Sequence, residues 1–600
     1  MMLERKNVDS KYKWDLTAIY NTEEDFLEDY KKAEKKIKAF PSHKDLMCKS
    51  AENFFTALRD MFDIEAIIEK LWQYSFLNFA VDTSDNSAQS RNERVRNLAA
   101  LAGSETWFVS PEILRLEDGV IDGWMKELPK LSTFRRYIER TRRYKPHTLS
   151  DDSEKLMSKM EECLGSHSSI RGIFADSDLR FGKIRDENGK LTELTDSNYI
   201  VFLRSQDRGV RKNAFRKIYK TYEQFKNTFA TMYNGYVKER ITLAASRNFK
   251  NSITMSTFSD EVTPEIYENL IKSVINGLPA LYDYYDLKRE LLGVEKLHLY
   301  DIYTPLVTSL DKSYTYETAI EEVLKTAEVF GEEYYKNLRR GLCESGWADV
   351  YPTRGKRGGA FSSGVPGTDP YILLNYNGNF NDISTLAHEA GHSMHSFFST
   401  KYNEPHNSEY TIFVAEVAST VNELLLAHRK LRESAERDEK LYILNQLMET
   451  YKGTLYRQTM FAEFERDMHS IAERGEPLTA DLISKRYYKI VRKYFGSGVV
   501  CDKQIAYEWA RIPHFYRNFY VYKYATSISA ASAIVKRIEN EGDAYVKQYI
   551  EFLKCGGSKS PLDSLKVAGI DMKDPGVVIG AIEDFSDAVK EFKKLSKEAR

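Results

Sequence analysis

Apolar residues recur at helical spacing along most of the chain. Ile64, Ile67, Ile68, Leu71 and Trp72 form one stripe, and Ile320, Val323, Leu324 and Ala327 form another, each with the period of an amphipathic helix packed on a core. Only 15 prolines interrupt 600 residues, which fits long helices with short connections. The pattern predicts a mainly α protein with no internal repeat and no low-complexity linker. Two segments depart from it. Lys183-Ile184 and Leu191-Thr192 flank Asn188-Gly189, the arrangement of a short β-hairpin, read here as the seam between lobes. Further on, Gly355, Gly358, Gly359, Gly364 and Gly367 describe a mobile stretch. It leads into Tyr371-Ile372-Leu373-Leu374-Asn375-Tyr376, a strand by its β-forming residues.

Just after that strand, Asp382 to Phe398 fits a helical wheel at ~100° per residue. Ile383, Leu386, Ala390, Met394, Phe397 and Phe398 fall on one side, and His388 and His392 on the other. The two histidines lie about 40° apart and ~6 Å along the axis, so both imidazoles reach one ion at ~2.0 to 2.1 Å. Glu389 flanks them, about 100° around from His388. There a carboxylate reaches a metal-activated water without being a ligand. Gly391 costs roughly 0.5 to 1 kcal/mol relative to alanine inside a helix, so its presence predicts a close neighbour at that turn.

A hydrolytic zinc keeps three protein ligands and an open fourth position. Phe413-Val414-Ala415-Glu416-Val417-Ala418-Ser419 begins a second apolar-periodic helix, on which Glu416 and Glu423, seven apart, share a face. Glu416 is the candidate third ligand. Glu423 is placed to orient a histidine through its free ring nitrogen. His395 lies near His388 on the wheel but ~10.5 Å along the axis, so its place is beside the site or on the surface. The competing reading makes the two histidines exposed helix residues paired with Glu389.

The balance of charge narrows the partners. Lys and Arg total 87 against 89 Asp and Glu, a formal charge of -2, so no whole-protein field gathers nucleic acid or an anionic membrane. The clusters at Arg135, Arg136, Arg140, Arg142 and Arg143 and from Arg204 to Lys220 are interleaved at helical spacing and read as solvated faces. Five scattered cysteines without a Cys-x-x-Cys pair indicate neither a disulfide framework nor a thiolate zinc site. The opening Met-Met-Leu-Glu-Arg-Lys lacks the apolar core of a signal peptide, and no stretch approaches the ~20 apolar residues of a membrane span. A cytoplasmic protein is expected, with no oligomeric state specified.

Several segments together resemble the thimet-oligopeptidase superfamily of zinc metallopeptidases, and within it the bacterial oligoendopeptidase F family, over nearly the whole chain. They are Tyr12-Lys13-Trp14-Asp15-Leu16, Gly355 to Phe361, Pro370 to Tyr376, Thr385 to His395 and Phe413 to Thr420. The resemblance implies a largely helical, two-lobed body, with an N-terminal lobe over residues 1–200 and a zinc peptidase catalytic domain over 201–600. It implies a deep channel with one zinc per chain at its floor, a small β element beside the metal helix, and short unstructured oligopeptides as substrates. The glutamate at 416 completes the zinc site in such proteins. The strand at Tyr371 to Tyr376 pairs with the substrate backbone, which makes Tyr371 and Gly359 substrate-binding. The segment Ile512 to Tyr524 resembles the His- and Tyr-rich substrate segment, with His514 and Tyr524 as donors to the oxyanion and Tyr516 and Tyr520 beside them on the substrate.

The reaction expected is hydrolysis of internal peptide bonds, with Glu389 moving a proton from water to the leaving amine. Release of dipeptides or single residues from a C-terminus is an alternative. So is an inactive peptide-binding relative, although a closed structural zinc site would need a fourth protein ligand, and the sequence offers none.

Overall fold

The computed structural model describes residues 3–307 and 312–598, apart from the side chains of 161 and 162. Among them are twenty-six α-helices and seven strands of two or three residues each. None of these helices is long and apolar enough to cross a membrane. The chain divides into two compact units built from discontinuous segments. One holds Met1–Pro146, Asp311–Arg429 and Ile534–Ile570; the other holds His147–Leu310, Lys430–Ala533 and Asp571–Arg600. Residues 201–600 therefore contribute to both units.

In the first unit, the core runs from Trp14 to Ile138 and takes in Tyr371 and Leu373. Its longest helix, Ala51–Val81, is capped by the Ser50 hydroxyl at the Asn53 N–H. Ile64, Ile68 and Leu71 are buried on it, but Trp72 is exposed and stacks on Phe76 with ring centroids 4.9 Å apart. In the second stripe, Val323, Leu324 and Ala327 are buried.

A three-stranded sheet lies against this core. Its strands are β4 (Ala348–Asp349), β5 (Phe361–Ser363) and β6 (Tyr371–Leu373), in the order β4-β6-β5. β6 is parallel to β4 and antiparallel to β5. The Tyr12–Asp15 segment frames it: Val350 N donates to Tyr12 O at 3.0 Å and Asp15 N to Gly346 O at 2.9 Å.

The glycine segment expected to be mobile is pinned from several sides. Arg357 N donates to Ala80 O at 2.9 Å and Thr83 N to Gly355 O at 2.8 Å. Lys356, its side chain fully buried, meets the Asp349 carboxylate at 2.7 Å and donates to Asp349 O and Tyr351 O. Gly355 holds φ +83°, and a Cβ there would lie 2.3 Å from the Asp82 carboxylate, so glycine at this point serves close packing.

The second unit contains the hairpin, β1 (Lys183–Arg185) with β2 (Leu191–Glu193), joined through Asn188-Gly189. It lies well inside this unit, whose chain boundary is at Pro146–His147, and so marks no seam. A parallel pair joins β3 (Leu297–His298) to β7 (Val499–Val500). Buried carboxylates tie distant segments together. Asp301 receives Arg208 and Arg211, and Glu508 receives Arg457, Tyr219 and Tyr487.

The Asp349 carboxylate also pairs with Arg5 at 2.6 Å, so losing Lys356 removes one of its two cations. Lys356→Met is expected to lower stability by about 1 to 3 kcal/mol and to raise amide exchange across residues 355–359, measured by chemical denaturation and hydrogen exchange.

Candidate metal centre

The HExxH segment lies on a helix, Phe380–Tyr402, that begins with a capping box. The Asn379 side chain accepts from Asp382 N while the Asp382 carboxylate accepts from Asn379 N. Ile383, Leu386, Ala390, Met394 and Phe398 are buried along one side, whereas His388 and His392 are half-buried. A second helix, Ile412–Glu433, crosses at Gly391. A Cβ on Gly391 would stand 2.6 Å from the Ala418 carbonyl oxygen and 2.6 Å from Ser419 Cα, so only glycine permits this approach.

The crossing brings Glu416 to the histidines. His388 Nε2 and His392 Nε2 are 3.1 Å apart, and each lies near Glu416 Oε2, at 3.5 and 3.6 Å. Two ligands held at ~2.0 to 2.1 Å from zinc at a tetrahedral angle stand roughly 3.3 Å apart. The triangle thus fits three corners of such a site. These three residues are a group able to hold a metal ion.

Surrounding charges assign different work to each carboxylate. Glu423 bonds to His388 Nδ1, which leaves Nε2 to face the triangle. Burial pulls the His388 pKa down, but the Glu423 carboxylate, with Glu389 and Glu416, outweighs it and lifts the value to about 9. Glu416 is raised by burial but brought below its ordinary value by His392 and His388, so it stays anionic. Glu389 is buried and its pKa is raised by that burial, against the two histidines. His395 is buried rather than on the surface. It stacks on Tyr410 with centroids 3.7 Å apart, and burial and His392 hold its pKa near 3.

The substrate strand expected at Tyr371–Tyr376 requires correction. Regular strand covers only Tyr371–Leu373, and β6 is the middle strand, with both edges paired. The Tyr371 ring is buried against Trp14 and its hydroxyl donates to Asp15 O at 2.9 Å. The edge strands of this sheet are β4 and β5. Ile372 N donates to Trp347 O and Leu374 N to Asp349 O, so these residues face β4, and Tyr371 and Leu373 face β5. Phe361 and Ser363, paired with Leu373 and Tyr371, then face β6, and Ser362 turns its N–H and C=O outward.

The Ser362 hydroxyl meets Ser393 Oγ at 2.8 Å, and Ser393 donates to Glu389 O at 2.9 Å. The outer strand is thereby tied to the metal helix. Gln73, fully buried, clamps the strand end by donating to Ser363 O and accepting from Ser363 Oγ. Next to β5, a cavity of about 220 Å³ is lined by Gly359, Ala360, Leu374, Asn375, Tyr376, Asp382 and Thr385. Gly359 holds φ +82° there, and its carbonyl accepts from Asn375.

The His- and Tyr-rich segment lies in the second unit. His514, Tyr520 and Tyr524 form one half-buried ring group, with centroid separations of 6.4, 6.2 and 5.5 Å. Burial, with Arg517 and Arg171, holds His514 below its ordinary pKa. Tyr516, expected on the substrate, instead packs inward against Tyr236 and Tyr233, at 5.3 and 5.8 Å. It is an aromatic core residue.

Known proteins resemble this chain along nearly its whole length. The profile of Peptidase family M3 matches residues 201–583, and that of Oligopeptidase F matches residues 112–181. The chain belongs to peptidase family M3. Oligopeptidase PepF of Bacillus subtilis (strain 168) is 40% identical over 592 residues, covering 99% of this chain and 88% of that one. The crystal structure of oligoendopeptidase-F from Enterococcus faecium superposes with a TM-score of 0.75 at 32% identity, covering 96% and 99% of the two chains. A Chlamydophila abortus protein of known structure reaches 0.91 at 32% identity, covering 99% and 100%. As a member of family M3 the chain is a metallopeptidase, and its mainly α fold is the one these neighbours share.

In this M3 chain the Glu423 carboxylate fixes the ring of His388 and raises its basicity. Glu423→Gln is expected to weaken metal binding by about 10- to 100-fold with unchanged helix content, measured by competition with a chelator of known affinity.

Proposed function

We propose that the metal is zinc, one ion per chain, held by His388, His392 and Glu416, with Glu389 as general base. The chain is an oligopeptide-cleaving metalloendopeptidase. The observation that carries the zinc reading is the triangle of ligand atoms 3.1 to 3.6 Å apart, beside a carboxylate that burial makes basic. Two imidazoles and one carboxylate are a donor set that zinc takes in hydrolytic sites.

Zinc supplies Lewis acidity toward the scissile carbonyl and toward water when bound. Glu389 takes the proton of the attacking water and returns it to the leaving amine, a task suited to a raised carboxylate pKa. The outward N–H and C=O of Ser362 take the backbone of an extended peptide. Such pairing requires a segment free of its own secondary structure, which favours short unstructured peptides. The 220 Å³ cavity at Gly359 accepts a substrate side chain. His514 and Tyr524 donate to the oxyanion, with Tyr520 beside them.

The relatives named oligoendopeptidase F support internal cleavage over C-terminal release. The family M3 match over residues 201–583 supports residues 201–600 as the catalytic region and 1–200 as the segment that precedes it, and each of these stretches contributes to both compact units. Five free thiols support action in the cytoplasm.

Glu389→Gln is expected to retain zinc while kcat on a short quenched peptide falls by about 10²- to 10⁴-fold; retained activity with zinc bound would reject Glu389 as the base. Mass spectrometry of products from a nested peptide series is expected to show cuts at internal bonds whose position does not track the C-terminus. Products always one or two residues long, released from that end, would make the enzyme a carboxypeptidase.

A further inference from the structure

The turn that precedes Tyr520 and Tyr524 is held by a buried acid that the reaction as described leaves unused. Phe519 has φ +48°, a left-handed conformation that a non-glycine residue adopts only when its surroundings impose it. Its N–H donates to Glu465 Oε1 at 2.7 Å. Its ring lies between His469, 4.6 Å away, and Tyr267, 5.5 Å away. The preceding residue is fastened as well, since Ser256 Oγ donates to Asn518 O at 2.8 Å.

Glu465 and His469 sit one turn apart on the helix Arg457–Glu473, and both are buried. Beyond Phe519 the chain turns through Tyr520, whose carbonyl accepts from Lys523 N, into the helix that carries Tyr524. The direction of both tyrosine rings therefore follows from the turn at Phe519. Glu465 Oε2 is buried without a hydrogen-bond partner, so the side chain makes one hydrogen bond, and that bond is to the turn. Burial raises its pKa well above the ordinary carboxylate value, and a glutamine, which keeps an oxygen able to accept from Phe519 N, is close to its isostere.

We propose that Glu465 is a positioning residue for peptide hydrolysis, holding the left-handed turn at Phe519 and through it the ring group of His514, Tyr520 and Tyr524. The proposal rests on the reading of His514 and Tyr524 as oxyanion donors, and its test separates the two. Glu465→Gln, Glu465→Met, Glu465→Asp, His514→Ala and Tyr524→Phe are made in the full-length, zinc-loaded enzyme. Each is assayed for kcat and KM on a quenched peptide and for zinc content.

E465M is expected to lose about 10- to 100-fold in kcat, the scale of an ångström-sized misplacement, with KM and zinc content unchanged. E465Q, whose amide oxygen still accepts from Phe519, keeps kcat within about threefold of the parent, a difference under 1 kcal/mol. E465D keeps the acid but shortens the reach, and it loses kcat as E465M does; it decides the matter where E465M fails to fold. Equal losses in E465Q and E465M, or parental kcat in E465D, overturn the proposal. Losses in H514A and Y524F with none in E465M and E465D overturn the positioning role alone. Parental kcat in H514A and Y524F overturns the reading beneath it and the proposal with it.

Discussion

The approach of two helix backbones at Gly391 is the constraint on which the metal site depends. The Ala418 carbonyl and the Ser419 Cα occupy the space where any other residue would carry its Cβ. Glu416 lies half a turn before that contact, and its carboxylate reaches both imidazoles only because the axes come this close. Glycine in a helix interior costs about 1 kcal/mol relative to alanine, and the site is the return on that cost. Asn422 stands at the same contact, its Nδ2 2.9 Å from where a Cβ on Gly391 would lie, donating to Ala418 O at 2.9 Å and accepting from Tyr334 at 3.2 Å.

Crowding three carboxylates around two histidines creates an electrostatic conflict that sorts their roles. Glu416, facing both rings, is driven toward the anion; Glu389, enclosed by the protein, is driven toward the acid. Glu423 is spent on His388 Nδ1. Such environments push chemically identical groups apart, as a site needs when one carboxylate is to stay charged and another is to exchange a proton. A divalent cation relieves the repulsion among the acids, which is why the arrangement suits a metalloenzyme better than a metal-free pair of histidines. The serine link from Ser362 through Ser393 to the Glu389 carbonyl ties the outer strand of the sheet to the helix that carries the two histidines.

The local part of this design was legible in the sequence. A 3.6-residue period specifies which helix face is buried, so the spacing of His388, Glu389 and His392 and the odd placement of Gly391 carried real geometric content. Strand order was not legible. The apolar run at Tyr371 announces a strand, but its partners Ala348–Asp349 and Phe361–Ser363 decide that it is central, and a continuous apolar run is itself the mark of a covered strand. The glycine segment read as mobile because what pins it, Ala80, Thr83 and Asp349, lies elsewhere in the chain. Tyr516 and Tyr520 look alike in the sequence. Tyr233 and Tyr236, some 280 positions upstream by residue number, draw only the first inward.

The ring group of the second unit follows a different logic from the metal helix, and Phe519 shows the balance. A left-handed conformation costs a non-glycine residue ~1 to 2 kcal/mol. Burying a phenylalanine ring returns ~1.5 to 3 kcal/mol, and here the ring is 1% exposed, between His469 and Tyr267. Packing therefore outweighs strain. Glycine at 519 would relieve the backbone but forfeit the ring and free the unfolded chain further. At Gly391 the opposite choice prevails, because any side chain there would occupy the space of the crossing helix. Each position keeps the residue whose larger energy term favours a fixed geometry: a missing side chain where two backbones must meet, and a bulky one where a turn must not move.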